Sequence, residues 1–117
     1  MINVFCNNVV KVGEPMSYIG KHEMGHPIVE PFNGTNFCGI SMHETVQLND
    51  YNFNNVLVGG LINILRFGQV QLDKSLIHGK IDFNKYIKPI INGYEICEKE
   101  DSVGYIENIN PLIVKFI

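Results

Sequence analysis

One run of residues in this 117-residue chain has the types and spacing of a catalytic metal centre. His22-Glu23-Met24-Gly25-His26 matches H-E-x-x-H, in which two histidines one helical turn apart bind zinc and the glutamate is general base toward the metal-bound water. That chemistry depends on a helix, because a rise of about 1.5 Å per residue brings positions i and i+4 onto one face. Here the helix is hard to build: Gly20 stands just upstream, Gly25 lies inside the run, and Pro27 disfavours the α conformation at His26. In an extended segment the two histidines would lie about 13 Å apart at roughly 3.3 Å per residue, too far to share one zinc. The longer H-x-x-G-x-x-H continuation is replaced by Pro27-Ile28-Val29-Glu30-Pro31-Phe32, which leaves His43 and Glu44 as the conceivable further ligands. The backbone argument favours a polar turn over a zinc-dependent metallohydrolase, so no catalytic, cofactor-binding or metal residue is assigned.

Other arrangements of reactive residues are weaker. Cys38 and His43 have the types of a nucleophile and its base, but nothing places a third group to orient the histidine, and a cysteine beside Gly39 in an apolar run reads as core. Glu95, Glu98, Glu100 and Asp101 surround a turn without the dense alternation of oxygen ligands that a calcium loop needs, so a solvated loop is expected. His78 stands beside Gly79 in an apparent turn, where exposure is expected. Cys6, Cys38 and Cys97 are odd in number, far apart and without a C-x-x-C, which predicts buried or free thiols rather than a disulfide framework.

The elements that must carry these residues are short. The chain has no alanine, 27 isoleucines and valines and 14 asparagines, a bias toward strands. Glycine or asparagine recurs every six to twelve residues, which leaves few windows for a helix. Between these marks lie apolar runs at 9–12, 16–19, 28–30, 37–42, 56–58, 61–67, 70–72, 87–91, 94–97, 103–106 and 112–117, a spacing that predicts an all-β barrel or sandwich with at most one short helical turn, placed at Asp82 to Lys88. Within the 61–67 run, Ile62, Ile64 and Arg66 share one face, and Asn63, Leu65 and Phe67 the other, an imperfect alternation that points to partial cover on both faces. Asn92-Gly93 between Ile90-Ile91 and Tyr94-Glu95-Ile96-Cys97 is the strongest hairpin signal. Glu44 to Asn55 reads as a surface loop, Leu112 to Ile117 as a central strand at the barrel seam. Residues 1–8 read as an N-terminal arm, and 9–117 as a single β domain.

Composition bounds the function. A net charge of −3 with Arg66 as the one arginine gives no electrostatic footprint for nucleic acid. No apolar stretch approaches the roughly 20 residues that span a bilayer, and the start MINVFCNNVV lacks the pattern of a secretory signal, so the expectation is a soluble, non-exported protein.

From Val10 onward the order of features resembles the small capsid decoration, or cement, proteins and head-fibre bases of tailed bacteriophages. The matching segments are Val12 to Met16, a glycine turn, Pro27 to Glu30, Phe37 to Met42, Val56 to Ile62, Ser102 to Ile106 and a terminal strand at Leu112 to Ile117. Together they extend over nearly the whole chain. The chain departs from that pattern in its lack of alanine and in carrying the H-E-x-x-H run where a plain glycine turn is usual. The resemblance implies a β-barrel-like homotrimer, assembled in the bacterial cytoplasm, that sits on the outer surface of the virion and bridges subunits of the major capsid protein. It implies no enzymatic activity and no cofactor.

Overall fold

The β-branched runs become strands. The computed structural model of the chain describes residues 2–21, 25–42 and 60–117, and these are all-β. The strands are β1 (Ile2–Cys6), β2 (Pro15–Lys21), β3 (Pro27–Pro31), β4 (Phe37–Ser41), β5 (Gly60–Leu65), β6 (Gly68–Gln71), β7 (Ile77–His78), β8 (Tyr86–Ile90), β9 (Gly93–Cys97), β10 (Gly104–Asn108) and β11 (Ile113–Phe116). The first five close a barrel in the order β1-β3-β2-β4-β5, and the rest form a six-stranded sheet in the order β6-β11-β10-β8-β9-β7.

The barrel seam is made by β1, which runs parallel to β3 through Phe5–Ile28 and antiparallel to β5 from Ile2–Ile64 to Cys6–Gly60. The residues expected as an N-terminal arm, 1–8, therefore contain a structural strand. The reason is burial: Val4 and Cys6 alternate inward and are fully buried, so a detached arm would expose both. The terminal run 112–117 does not form that seam. Its strand β11 lies between β6 and β10, because Val114 and Phe116 fill the core under the second sheet. The 9–12 run is not a strand: Val10 is buried, but Val9 and Val12 are exposed and the chain turns at 12–13. The helical turn expected at Asp82 to Lys88 is a turn at 83–84, with Asn84 at positive φ, followed directly by β8. Among the described residues the helical pieces are two three-residue 3-10 turns, Lys74–Leu76 and Lys99–Asp101. The segments 44–55 and 56–58 lie outside the described residues.

Two apolar cores result. Val4, Cys6, Val10, Met16, Val29, Ile62 and Ile64 fill the barrel, while Val70, Leu72, Ile77, Ile87, Tyr94, Ile106, Leu112, Val114 and Phe116 pack beneath the sheet together with Ile40 of β4. Strand β4 serves both cores because it carries a bulge. Met16 pairs with Gly39 and Ser17 with Phe37, which leaves Cys38 as the extra residue and shifts the inward–outward alternation. Gly39 meets the requirement of that bulge: its φ is +147°, and a Cβ there would stand 2.7 Å from the Leu65 carbonyl oxygen. Cys38 thus packs with the barrel core, while Phe37 and Ile40 pack with the sheet. Across the same boundary the buried Tyr94 hydroxyl donates to the Gly13 carbonyl oxygen at 2.8 Å. The molecule is elongated, 50 × 25 × 21 Å.

Candidate functional site

Strands β2 and β3 flank the H-E-x-x-H run and pair antiparallel down to Lys21–Pro27, so the helix its zinc chemistry requires does not extend into residues 17–21 or 27–31. His22, Glu23 and Met24 lie outside the described residues, as do His43 and Glu44. His26 is described: its ring meets Phe5 of β1 edge to face, with centroids 6.1 Å apart.

Cys38 is a thiol held protonated. Burial pushes its pKa up to about 11, against a smaller lowering by the Arg66 guanidinium, and its Sγ lies 3.4 Å from the Met16 carbonyl oxygen. A nucleophile needs the opposite shift, so the core reading of Cys38 is the one its surroundings support. Cys97 is shifted upward as well, chiefly by desolvation. The acidic residues near the second turn spread out: Glu95 pairs with Lys88 at 3.3 Å across β8 and β9, Glu98 precedes the 3-10 turn, and Glu100 and Asp101 lie within it. Among the described residues no group of three or more histidine, cysteine, aspartate or glutamate side chains is placed to hold a metal ion. His78 is exposed on β7 beside Glu95.

Among the described residues the fold builds a groove of about 640 Å³ between the β3–β4 connection and the six-stranded sheet. Phe32 and Gly34 of the β3–β4 connection form one wall, and Lys88, Pro89, Ile90, Ile91, Glu95, Asp101 and Val103 line the rest. Each wall is fixed by local chemistry. The buried Ser17 hydroxyl donates to the Thr35 carbonyl oxygen at 2.6 Å and accepts from the Asn33 N–H at 3.1 Å, and the Asn33 side-chain oxygen accepts from the Thr35 N–H at 3.0 Å. These bonds hold Phe32, which packs edge to face on Phe37. The far wall is the hairpin predicted at Asn92-Gly93, with Ile91 and Asn92 as its loop residues and Ile90–Gly93 as its closing pair. Gly93 is required there, since a Cβ would run into the Leu76 backbone carbonyl.

Large apolar side chains are exposed at the groove and at the strand end beside it. Ile117 donates its N–H to the carbonyl oxygen of Val103, a groove residue, at 2.9 Å, and Phe67 lies one residue beyond the Gly68–Phe116 pair. Phe67 is 72% exposed, Ile117 64% and Ile91 62%. No sequence motif marks these residues. A two-residue turn at Asn92-Gly93 would set Lys88 opposite Cys97; the loop is Ile91-Asn92, one residue earlier, and that register brings Lys88 opposite Glu95, so the pair was not available from the Asn-Gly signal. The approach of Phe32 likewise depends on how the sheets pack. Exposed apolar side chains at and near a groove that holds an ion pair suit contact with a protein surface. Compared with known proteins, the chain matches no protein-family model, no curated protein and no solved structure.

Proposed function

We propose that this chain is a non-enzymatic structural protein that docks on the outer surface of a tailed-bacteriophage capsid, as a decoration or head-fibre anchoring protein. The observation that carries this reading is the exposure of large apolar side chains at the groove and at the strand end beside it: Ile91 lines the groove, and Ile117, bonded to the groove residue Val103, is also exposed, as is Phe67. Large apolar side chains exposed at and near a groove favour a partner that covers them. Both cores are packed with the protein's own side chains, so binding belongs to the outside of the fold. A protein that binds only the assembled shell stabilises it by mass action, and several copies combine weak contacts through effective concentration. The resemblance gives this role a threefold form, bridging major capsid protein subunits on the virion surface.

Co-sedimentation of the purified chain with expanded phage capsids that lack their decoration protein tests the proposal. Saturable binding that is lost in Ile91→Asp and Ile117→Asp, both at exposed positions, is the expected result. Capsids that leave the wild-type chain in the supernatant refute it.

A further inference from the structure

The six-stranded sheet ends unevenly. At one edge β7 is two residues long and is followed by Gly79 and Lys80, the short, charged kind of edge that resists pairing. At the other edge β6 offers Gly68-Gln69-Val70-Gln71, with no charge and no proline and in unbroken register with β11. The Leu72 N–H donates to the Leu112 carbonyl oxygen at 3.0 Å, one step beyond the Gln71–Ile113 pair. Hydrogen-bonded pairs alternate in an antiparallel ladder, so Val70 and Gly68 also face β11, and the backbone N–H and C=O of Gln69 and Gln71 point away from the sheet.

We propose that two copies of this chain pair antiparallel through β6 across a twofold axis at Val70, joining their sheets into one. In that register Gln69 of each copy lies opposite Gln71 of the other, and all four outward backbone groups of each edge find partners. The side chains agree with it. Exposed Gln69 and Gln71 share the outer face, while Val70 meets its own copy on the buried face and side-chain-free Gly68 lies beside Leu72 of the second copy. A chain of net charge −3 meets itself here without like charges in the strand, and beyond the strand Arg66 of the second copy comes to the end that carries both Asp73 and Lys74. Such a contact is isologous and closes with two copies, so it predicts a dimer rather than the threefold form given by the resemblance. It stands independently of the virion reading.

Sedimentation velocity over a concentration series, with native mass spectrometry, decides the matter in three proteins. The wild-type chain is expected to dimerise. Gln69→Lys with Gln71→Lys sets lysine against lysine twice and is expected to raise the dissociation constant at least about tenfold. Gln69→Lys with Gln71→Glu sets lysine against glutamate in this register alone and is expected to restore the dimer. Unchanged thermal unfolding by circular dichroism shows that the variants fold, as exposed positions should. A wild-type monomer at every concentration, a trimer, or a dimer indifferent to the double lysine overturns the proposal. A trimer that still binds capsids would do so while leaving the decoration role standing.

Discussion

The barrel and the six-stranded sheet solve the same problem differently. The barrel removes its edges by closure, and it does so with β1, whose partners β3 and β5 come from the middle of the chain. The sheet is built from neighbours, β8–β9 and β10–β11, to which β6 and β7 add the outer strands, and it leaves its edges open. Their cores differ as well. The barrel is filled by valine, cysteine, methionine and isoleucine, whereas the sheet covers two aromatics, Tyr94 and Phe116, with ring centroids 5.6 Å apart. Closure therefore needs small side chains around a narrow interior, and the open sheet takes large ones against the barrel wall.

Emptying each core in turn tests how far the barrel and the sheet depend on each other. Phe116→Ala is expected to cost about 3–5 kcal/mol and Met16→Ala about 2–5 kcal/mol, in urea unfolding followed by far-ultraviolet circular dichroism. Because Ile40 packs with the sheet while β4 closes the barrel, both variants are expected to unfold in one transition. Two separated transitions in Met16→Ala would mean that the cores are energetically independent.

The bond between the regions comes next. Tyr94→Phe keeps the ring and removes the donor that satisfies the Gly13 carbonyl, at an expected cost of about 1–3 kcal/mol. If β4 packing alone joins the two parts, the change will be indistinguishable from zero in the same unfolding measurement.

How much of this was legible follows the same division. In the sheet, the Asn-Gly turn and the alternating runs mark β8 to β11, because their partners are close in sequence. The alternation of Ile62 and Ile64 against Leu65 is also as expected, the first two entering the barrel core and Leu65 packing toward the sheet. In the barrel the signal fails at long range. Residues 2–6 read as an arm because no local pattern announces a parallel partner 23 residues away, as in Phe5–Ile28. The bulge at Cys38 was hidden too, since a single extra residue leaves the apolar run looking continuous. The groove was illegible for a related reason: its walls belong to the β3–β4 connection and the six-stranded sheet, and only packing brings them together.

Cys38 gives a smaller effect, specific to the barrel. Its folded pKa stands at about 11 against an ordinary 9.0, so the unfolded chain releases the proton first. Its contribution to stability is present below about pH 9 and is lost as pH rises toward 11. The pH dependence of stability in the wild-type chain minus that of Cys38→Ala is expected to fall across this window and to be flat below it. Alkylation by iodoacetamide at pH 8 is expected to be about a hundredfold slower at Cys38 than at a free thiol, the ratio of thiolate fractions two pKa units apart. Modification of Cys38 at an ordinary thiol rate would mean that β4 opens readily and that the barrel wall is less secure than the sheet.

The smallest effect belongs to the sheet, at the ion pair in the groove. Lys88 and Glu95 side chains are 38% and 42% exposed, so their 3.3 Å contact is open to solvent. A double-mutant cycle to alanine is expected to give a coupling of about 0.5 kcal/mol, falling toward zero near 1 M salt. This value is a baseline for the groove in the isolated chain. If a partner surface covers the groove, the pair loses its water, and the same cycle performed on binding is expected to give a larger coupling that salt screens less. An unchanged coupling in the bound state would place the partner away from the groove and leave Phe67 and Ile117 as the contact.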